Sequence, residues 1–133
     1  MREILFRGKK ENGGWAYGYL TQAQGFYSIQ LFYTIQYEDL ESFYCEDKVA
    51  PETIGQFTGF ADNRNKRIFE GDILRDTKGT VFSKQCKYVV EFSCAFGKYV
   101  AVDENGEEIS ACDFPYLEII GNIHDNKELL ETL

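Results

Sequence analysis

A chain of 133 residues that is 44% hydrophobic, 16% aromatic and 27% charged has room for one core that buries roughly two-thirds of its unfolded surface, and is too rich in core formers to be disordered. Its net charge of -8, from 14 basic and 22 acidic side chains, opposes the phosphate backbone and argues against general nucleic-acid binding. No apolar run approaches a membrane span, and the start Met1-Arg2-Glu3-Ile4-Leu5-Phe6-Arg7 lacks a signal-peptide core, so a cytoplasmic location away from membranes is expected.

In chain order, short β-branched and aromatic runs separated by Gly, Asn and Asp predict a mainly β fold of antiparallel sheets with a short C-terminal helix. Glu3–Arg7 is the first expected strand, Asn12-Gly13-Gly14 a turn, and Trp15–Leu20 the second strand, with Trp15, Tyr17 and Tyr19 on one side by period-two alternation. Such an aromatic row serves as core or oligomer interface more often than as a base-stacking platform, which would also want flanking cations. Gly25–Leu31 and Tyr33–Tyr37 are further strands, and Glu38–Ser42 a connection or short helix. Thr53–Gly59 is strand-like and leads through the turn cluster Asp62–Lys66 into Arg67-Ile68-Phe69.

Glu70-Gly71-Asp72 followed by Ile73-Leu74, a turn at Lys78-Gly79 and a strand over Thr80–Ser83 is similar to the opening hairpin of SH3-like small barrels. Lys87–Ser93 alternates so that Tyr88, Val90, Phe92 and Cys94 share an apolar face. Tyr99–Val102 and Glu108–Ala111 flank Glu104-Asn105-Gly106-Glu107, where Asn-Gly predicts a type I′ hairpin turn. Leu117–Gly121 is the last strand, and Asn126 is placed to cap a helix running to Leu133, with Leu129, Leu130 and Leu133 inward. The two prolines, Pro51 and Pro115, fall at strand boundaries and no linker or repeat interrupts the chain, so one continuous domain over 1–133 is expected.

Little in this pattern carries chemistry. Cys45, Cys86, Cys94 and Cys112 form no C-x-x-C and are expected as reduced core thiols, not as a metal site. His124, the single histidine, precedes Asp125 and could be oriented for acid–base work, but no nucleophile signature accompanies it. Arg64, Lys66, Arg67 and Arg75 make the middle segment slightly basic, the pattern of a solvated face or of a small anion contact. Gln56, Thr58, Asp62, Glu70 and Asp72 are a candidate polar motif, with the carboxylates expected mainly as turn caps. No glycine spacing matches a phosphate-cradling loop, so neither cofactor nor metal is expected.

Three blocks then bear on family. Arg2-Glu3-Ile4-Leu5-Phe6-Arg7, Gly55-Gln56-Phe57-Thr58-Gly59-Phe60-Ala61-Asp62 through Ile68-Phe69-Glu70-Gly71-Asp72-Ile73-Leu74, and Ile119-Ile120-Gly121-Asn122-Ile123-His124-Asp125-Asn126 through Leu129-Leu130 occur in this order, and together they resemble the YopX-like family of bacteriophage and prophage proteins. The chain departs from the family pattern after Phe6-Arg7, where Gly8-Lys9-Lys10 intervene before Trp15, and at Asn63-Arg64-Asn65-Lys66 in place of the usual Asn-Gly turn. The resemblance implies a small, mainly β, self-associating protein of a phage or prophage, working inside the bacterial host with no established enzymatic activity, and carries over no catalytic residue.

The expectation that follows is a non-enzymatic accessory protein that binds a copy of itself or a host or phage protein through an aromatic-rich β surface, with Trp15, Tyr17, Tyr19, Arg64, Lys66 and Arg67 as candidate contacts. The alternative is nucleic-acid-linked: a module touching a strand through its middle cations, or an acidic DNA mimic acting on a host protein.

Overall fold

The computed structural model describes residues 3–23, 26–36, 40–79, 81–82 and 85–131, with backbone alone at 23, 30–36 and 40–46. The chain divides into two compact units, Met1–Gln56 and Phe57–Leu133.

In the first unit, strands β1 (Phe6–Lys9), β2 (Trp15–Ala23), β3 (Phe26–Gln36) and β4 (Leu40–Val49) are joined in antiparallel order. The two runs expected on either side of Phe32 are one continuous strand, β3, and Leu40–Ser42 continues a strand instead of forming a helical connection. Long β3 and β4 pair residue for residue from Tyr27↔Val49 to Gln36↔Leu40, so ladder hydrogen bonds override the acidic composition of the connection. Gly25, Tyr37, Glu38 and Asp39 lie outside the described residues.

Alternation decides the two faces of this sheet. Ala16, Ile29 and Val49 are buried together, with Phe6, Leu20, Tyr27 and Ile54 packed on them, whereas Tyr17 and Tyr19 are exposed on the opposite face. A single bridge, Lys10↔Val49, joins the end of β1 to the end of β4, backed by the Ala50 amide donating to the Lys9 carbonyl at 2.9 Å. Gly8 permits this approach, since a Cβ there would lie 2.7 Å from Val49 Cβ. A 3₁₀ turn, Pro51–Thr53, follows; the Thr53 hydroxyl accepts from the Lys9 amide at 2.8 Å and donates to the Ala50 carbonyl at 2.6 Å.

Strand β5 (Gly55–Ala61) contributes to both units: Gly55 and Gln56 pair with β1, while Phe57 and Ala61 pair with β6 (Arg67–Phe69). The second unit adds β7 (Asp72–Arg75), β8 (Tyr88–Ser93), β9 (Lys98–Val102), β10 (Glu108–Ser110) and β11 (Glu118–Asn122). These five make an open antiparallel sheet in the order β10-β9-β8-β7-β11. It is not a closed small barrel, and among the described residues Val81 and Phe82 form a bend where a strand was expected over Thr80–Ser83; Thr80 and Ser83 themselves lie outside the described residues. The core gathers Ile68, Leu74, Tyr88, Val90, Tyr99, Ala101, Phe114 and Leu117, with Phe60 edge-on to Phe114 at 5.9 Å between centroids.

Three local expectations are corrected. The β9–β10 hairpin forms, but its turn is not type I′: the Gly106 amide donates to the Asp103 carbonyl at 3.1 Å and the Asp103 amide to the Glu107 carbonyl at 2.9 Å, and of Asn105 and Gly106 only the glycine has positive φ, at 81°. Asp103 Oδ1 accepts from the amides of Asn105 and Glu107, each at 2.9 Å, and holds the type I turn with a glycine bulge instead. At the C-terminal end the helix is one 3₁₀ turn, Lys127–Leu130, and Asn126 does not cap it with its side chain. Leu130 is exposed, and Leu133 lies outside the described residues. Finally, Cys94 falls in the turn after β8 and is exposed, as is Cys112 in the 3₁₀ segment Ala111–Tyr116, so neither is a core thiol; Cys86 is half-buried, and all three are free. The side chain of Cys45 lies outside the described residues.

Candidate functional site

Three members of the polar motif, Thr58, Asp62 and Asp72, bond to the backbone. At β5, a two-residue shift in pairing between Phe57 and Ala61 needs a bulge, and Thr58-Gly59 builds it: the Thr58 hydroxyl donates to the Ile68 carbonyl at 2.9 Å and accepts from the Phe60 amide at 3.2 Å, while Gly59 takes φ 90°. Asp62, buried, accepts from the amides of Arg64 at 2.9 Å and Lys66 at 2.8 Å through Oδ1, and from Ile119 at 3.1 Å through Oδ2. One carboxylate thus shapes a turn and ties it to β11. Asp72, also buried, accepts from the Phe69 amide at 2.8 Å, across the turn where Gly71 has φ 91°. Glu70 is half-buried on that turn, and Gln56 is half-buried at the end of the first unit. Among the described residues no three His, Cys, Asp or Glu side chains converge to hold a metal ion.

The last block is a knot of side-chain-to-backbone bonds. Asn122 Oδ1 accepts from the amides of His124 at 3.0 Å and Asp125 at 2.9 Å, and Asn126 Oδ1 accepts from the Asn122 amide at 3.1 Å. Gly121 is required beneath it, because a Cβ would lie 2.5 Å from Asn126 Oδ1. Asn126 Oδ1 is therefore spent backward on β11 and caps no amide of the 3₁₀ turn, while its Nδ2 donates forward to Glu128 Oε1 at 3.5 Å.

The middle cations have differing surroundings. Arg64, Lys66 and Arg67 are exposed, but Arg64 Nη1 reaches Glu118 at 3.3 Å, Arg67 lies over the Phe57 ring at 5.7 Å, and Arg75 is half-buried in β7 opposite Glu118.

The aromatic row is different. Tyr17 and Tyr19 are 47% and 57% exposed, and the register places Phe26, 52% exposed, further along the same outer face. Trp15 lies at its other end, half-buried, with the Arg7 guanidinium 4.8 Å from its ring centroid, and Lys48 Nζ lies 3.8 Å over the Phe26 ring. The cations that the sequence row lacked are thus supplied by neighbouring strands. Phe26, Lys48 and Lys9 join this face only through register: Phe26 and Lys48 through the parity of β3 and β4, and Lys9 through the continuation of β1 to a position opposite Trp15.

With this architecture in view, the chain belongs to the YopX family: the family model, described as YopX protein, matches residues 5–131. Among solved structures it is similar to protein EF1440 from Enterococcus faecalis, with 21% identity, a TM-score of 0.60, and coverage of 98% of this chain and 100% of that one; at this identity the likeness concerns the fold. The search of curated proteins returned no match. No helix among the described residues is long and apolar enough to cross a membrane.

Proposed function

We propose that this is a phage or prophage accessory protein that works by binding rather than by turnover, and that the outer face of β1–β4 is its contact surface. The observation that carries this reading is the exposure of Tyr17, Tyr19 and Phe26 on one face of a sheet whose other face already has its core. Large aromatics left in water in a row are the usual anchors of a macromolecular interface, where their burial supplies most of the binding free energy. The occupants compatible with this face include a second copy of the chain, in line with a self-assembling accessory protein. Replacing Tyr17 and Tyr19 together by Ser is expected to change native mass or abolish capture of a specific partner while the circular dichroism spectrum stays that of the parent. A double variant with unchanged mass and unchanged capture removes this face from consideration.

A further inference from the structure

Resting on that reading, we infer that the outer face of β1–β4 takes a single nucleic-acid strand, its bases stacked on Tyr17 and Tyr19 and its phosphates against Lys48 and Lys9. Three features of the face favour this occupant over a folded protein surface or a duplex.

The first is spacing. Tyr17 and Tyr19 are two residues apart on one strand, which sets them about 6.8 Å apart along it. That is about twice the 3.4 Å rise of a stacked strand, so neighbouring bases meet both rings only when pulled out of their own stack, a state open to a single strand and closed to a duplex. Beyond them the register continues the aromatic positions with Phe26.

The second is charge. In a protein of net charge -8, the charged side chains described on this face, Arg7, Lys9 and Lys48, are all cationic, and Glu46 opposite Gln30 is the one acidic position that the register adds. Lys48 already holds its ammonium 3.8 Å over an aromatic ring, so cation and stacking surface are adjacent, as strand binding requires.

The third is a groove. A cavity of about 670 Å³ at the end of the same sheet is lined by Lys9, Lys10, Asn12 and Lys48 together with Glu11 and Asp47. Lys9 and Lys48 belong both to the groove and, by register, to the face, so the two share their cations. Lys9 and Lys48 are the two cations that groove and face share, which sets about two phosphate contacts, and Arg7, 5% exposed, supports Trp15 and does not reach out.

The consequences are quantitative. Two phosphates neutralised on a single strand give a slope of about -1.4 in log affinity against log salt, or about sevenfold weaker binding between 50 and 200 mM salt. Each tyrosine that stacks a base contributes on the order of tenfold in affinity. The test is fluorescence anisotropy of a labelled twelve-residue oligothymidylate, its RNA counterpart and a duplex of equal length, titrated with the full chain. Expected are saturable binding of the single strands with that salt slope, weaker binding of the duplex, about tenfold loss in Tyr17→Ala and in Tyr19→Ala, retention in Tyr19→Phe, and a flatter slope in Lys48→Gln. Duplex binding as tight as single-strand binding, or single-strand binding indifferent to both alanine variants, overturns the inference. If no oligonucleotide binds while the double Ser variant still changes native mass or protein capture, the face is a contact surface with a protein occupant; if neither measurement responds, the surface itself is withdrawn.

Discussion

Asp76 is fully buried, and its carboxylate accepts from the amides of Gly79 at 2.9 Å and of Val81 and Phe82 at 2.8 Å each. The Gly79 amide keeps the Asp76 carbonyl, at 3.1 Å, once the carboxylate is removed, so the loss falls on the partly buried amides of Val81 and Phe82, and an unmet amide costs more than a hydrogen bond gains. Asp76→Ala is therefore expected to destabilise the protein by about 2–3 kcal/mol, read as a lower urea midpoint; an unmoved midpoint means that these amides find water instead. Tyr88 offers a second test at this scale. Burial, with Cys86 beside it and Asp103 and Glu107 adding negative potential, pushes its phenol from 10.0 up to about 12. The unfolded chain gives up this proton first, so the stabilising contribution of neutral Tyr88 is complete below pH 10 and is lost as the pH rises towards about 12. Unfolding free energy measured across that window is expected to fall less steeply in Tyr88→Phe than in the parent.

One turn design recurs among the strands. Lys10–Gly14, Asp62–Lys66 and Asp103–Glu107 each close with a carbonyl accepting from the amide three residues on and the first amide donating to the carbonyl four residues on, and the fourth residue takes positive φ: Gly13 at 88°, Asn65 at 62° and Gly106 at 81°. Nothing lies within 4 Å of a Cβ placed at Gly13 or Gly106, so substitution there meets backbone strain alone. Gly106→Ala is expected to cost about 1–2 kcal/mol and Gly106→Asn less, since Asn tolerates the left-handed region that it already occupies at Asn65. Equal losses for the two would sink this account of the turn. Gly8→Ala is a packing case: Val49 Cβ, Cγ1 and Cγ2 would all lie within 2.9 Å of the new methyl, so it is expected to open the Lys10↔Val49 bridge and raise hydrogen exchange at Lys10 and Ala50.

At the scale of the molecule, each unit has its own core among the described residues. The first buries Ala16, Ile29 and Val49 under four partly covered neighbours, whereas the second centres on Phe114, Leu117, Ile68 and Leu74, all fully buried. A unit of about 56 residues is by its size alone near the lower limit for independent stability. Amide exchange is accordingly expected to show weaker protection across β2 and β3 than across β8 and β9, and Phe114→Ala to cost about 3–5 kcal/mol in the unfolding of the second unit. Uniform protection across all four strands would mean that the units open together. Much of this plan was legible in the sequence: the mainly β class, the turn sites at Gly13, Asn63–Lys66 and Gly106, the alternation of Tyr17 and Tyr19, and the family blocks. The division into two units was not, because β5 is one unbroken strand and no linker composition marks the boundary at Gln56.

Strand period, turn chemistry and the family blocks are local properties, carried by residues within a few positions of one another, and the sequence by itself determined them. Tertiary structure decided the rest, because burial depends on what lies across the sheet and not on the strand's own pattern. It made Cys94 a turn residue and left it exposed, set the carboxylates of Asp62 and Asp72 on backbone amides, and turned Asn126 Oδ1 back on β11. It also set Lys48 over Phe26, 22 positions away in the chain, and so gave the Tyr17–Tyr19 row the cationic surroundings that its own strand lacks.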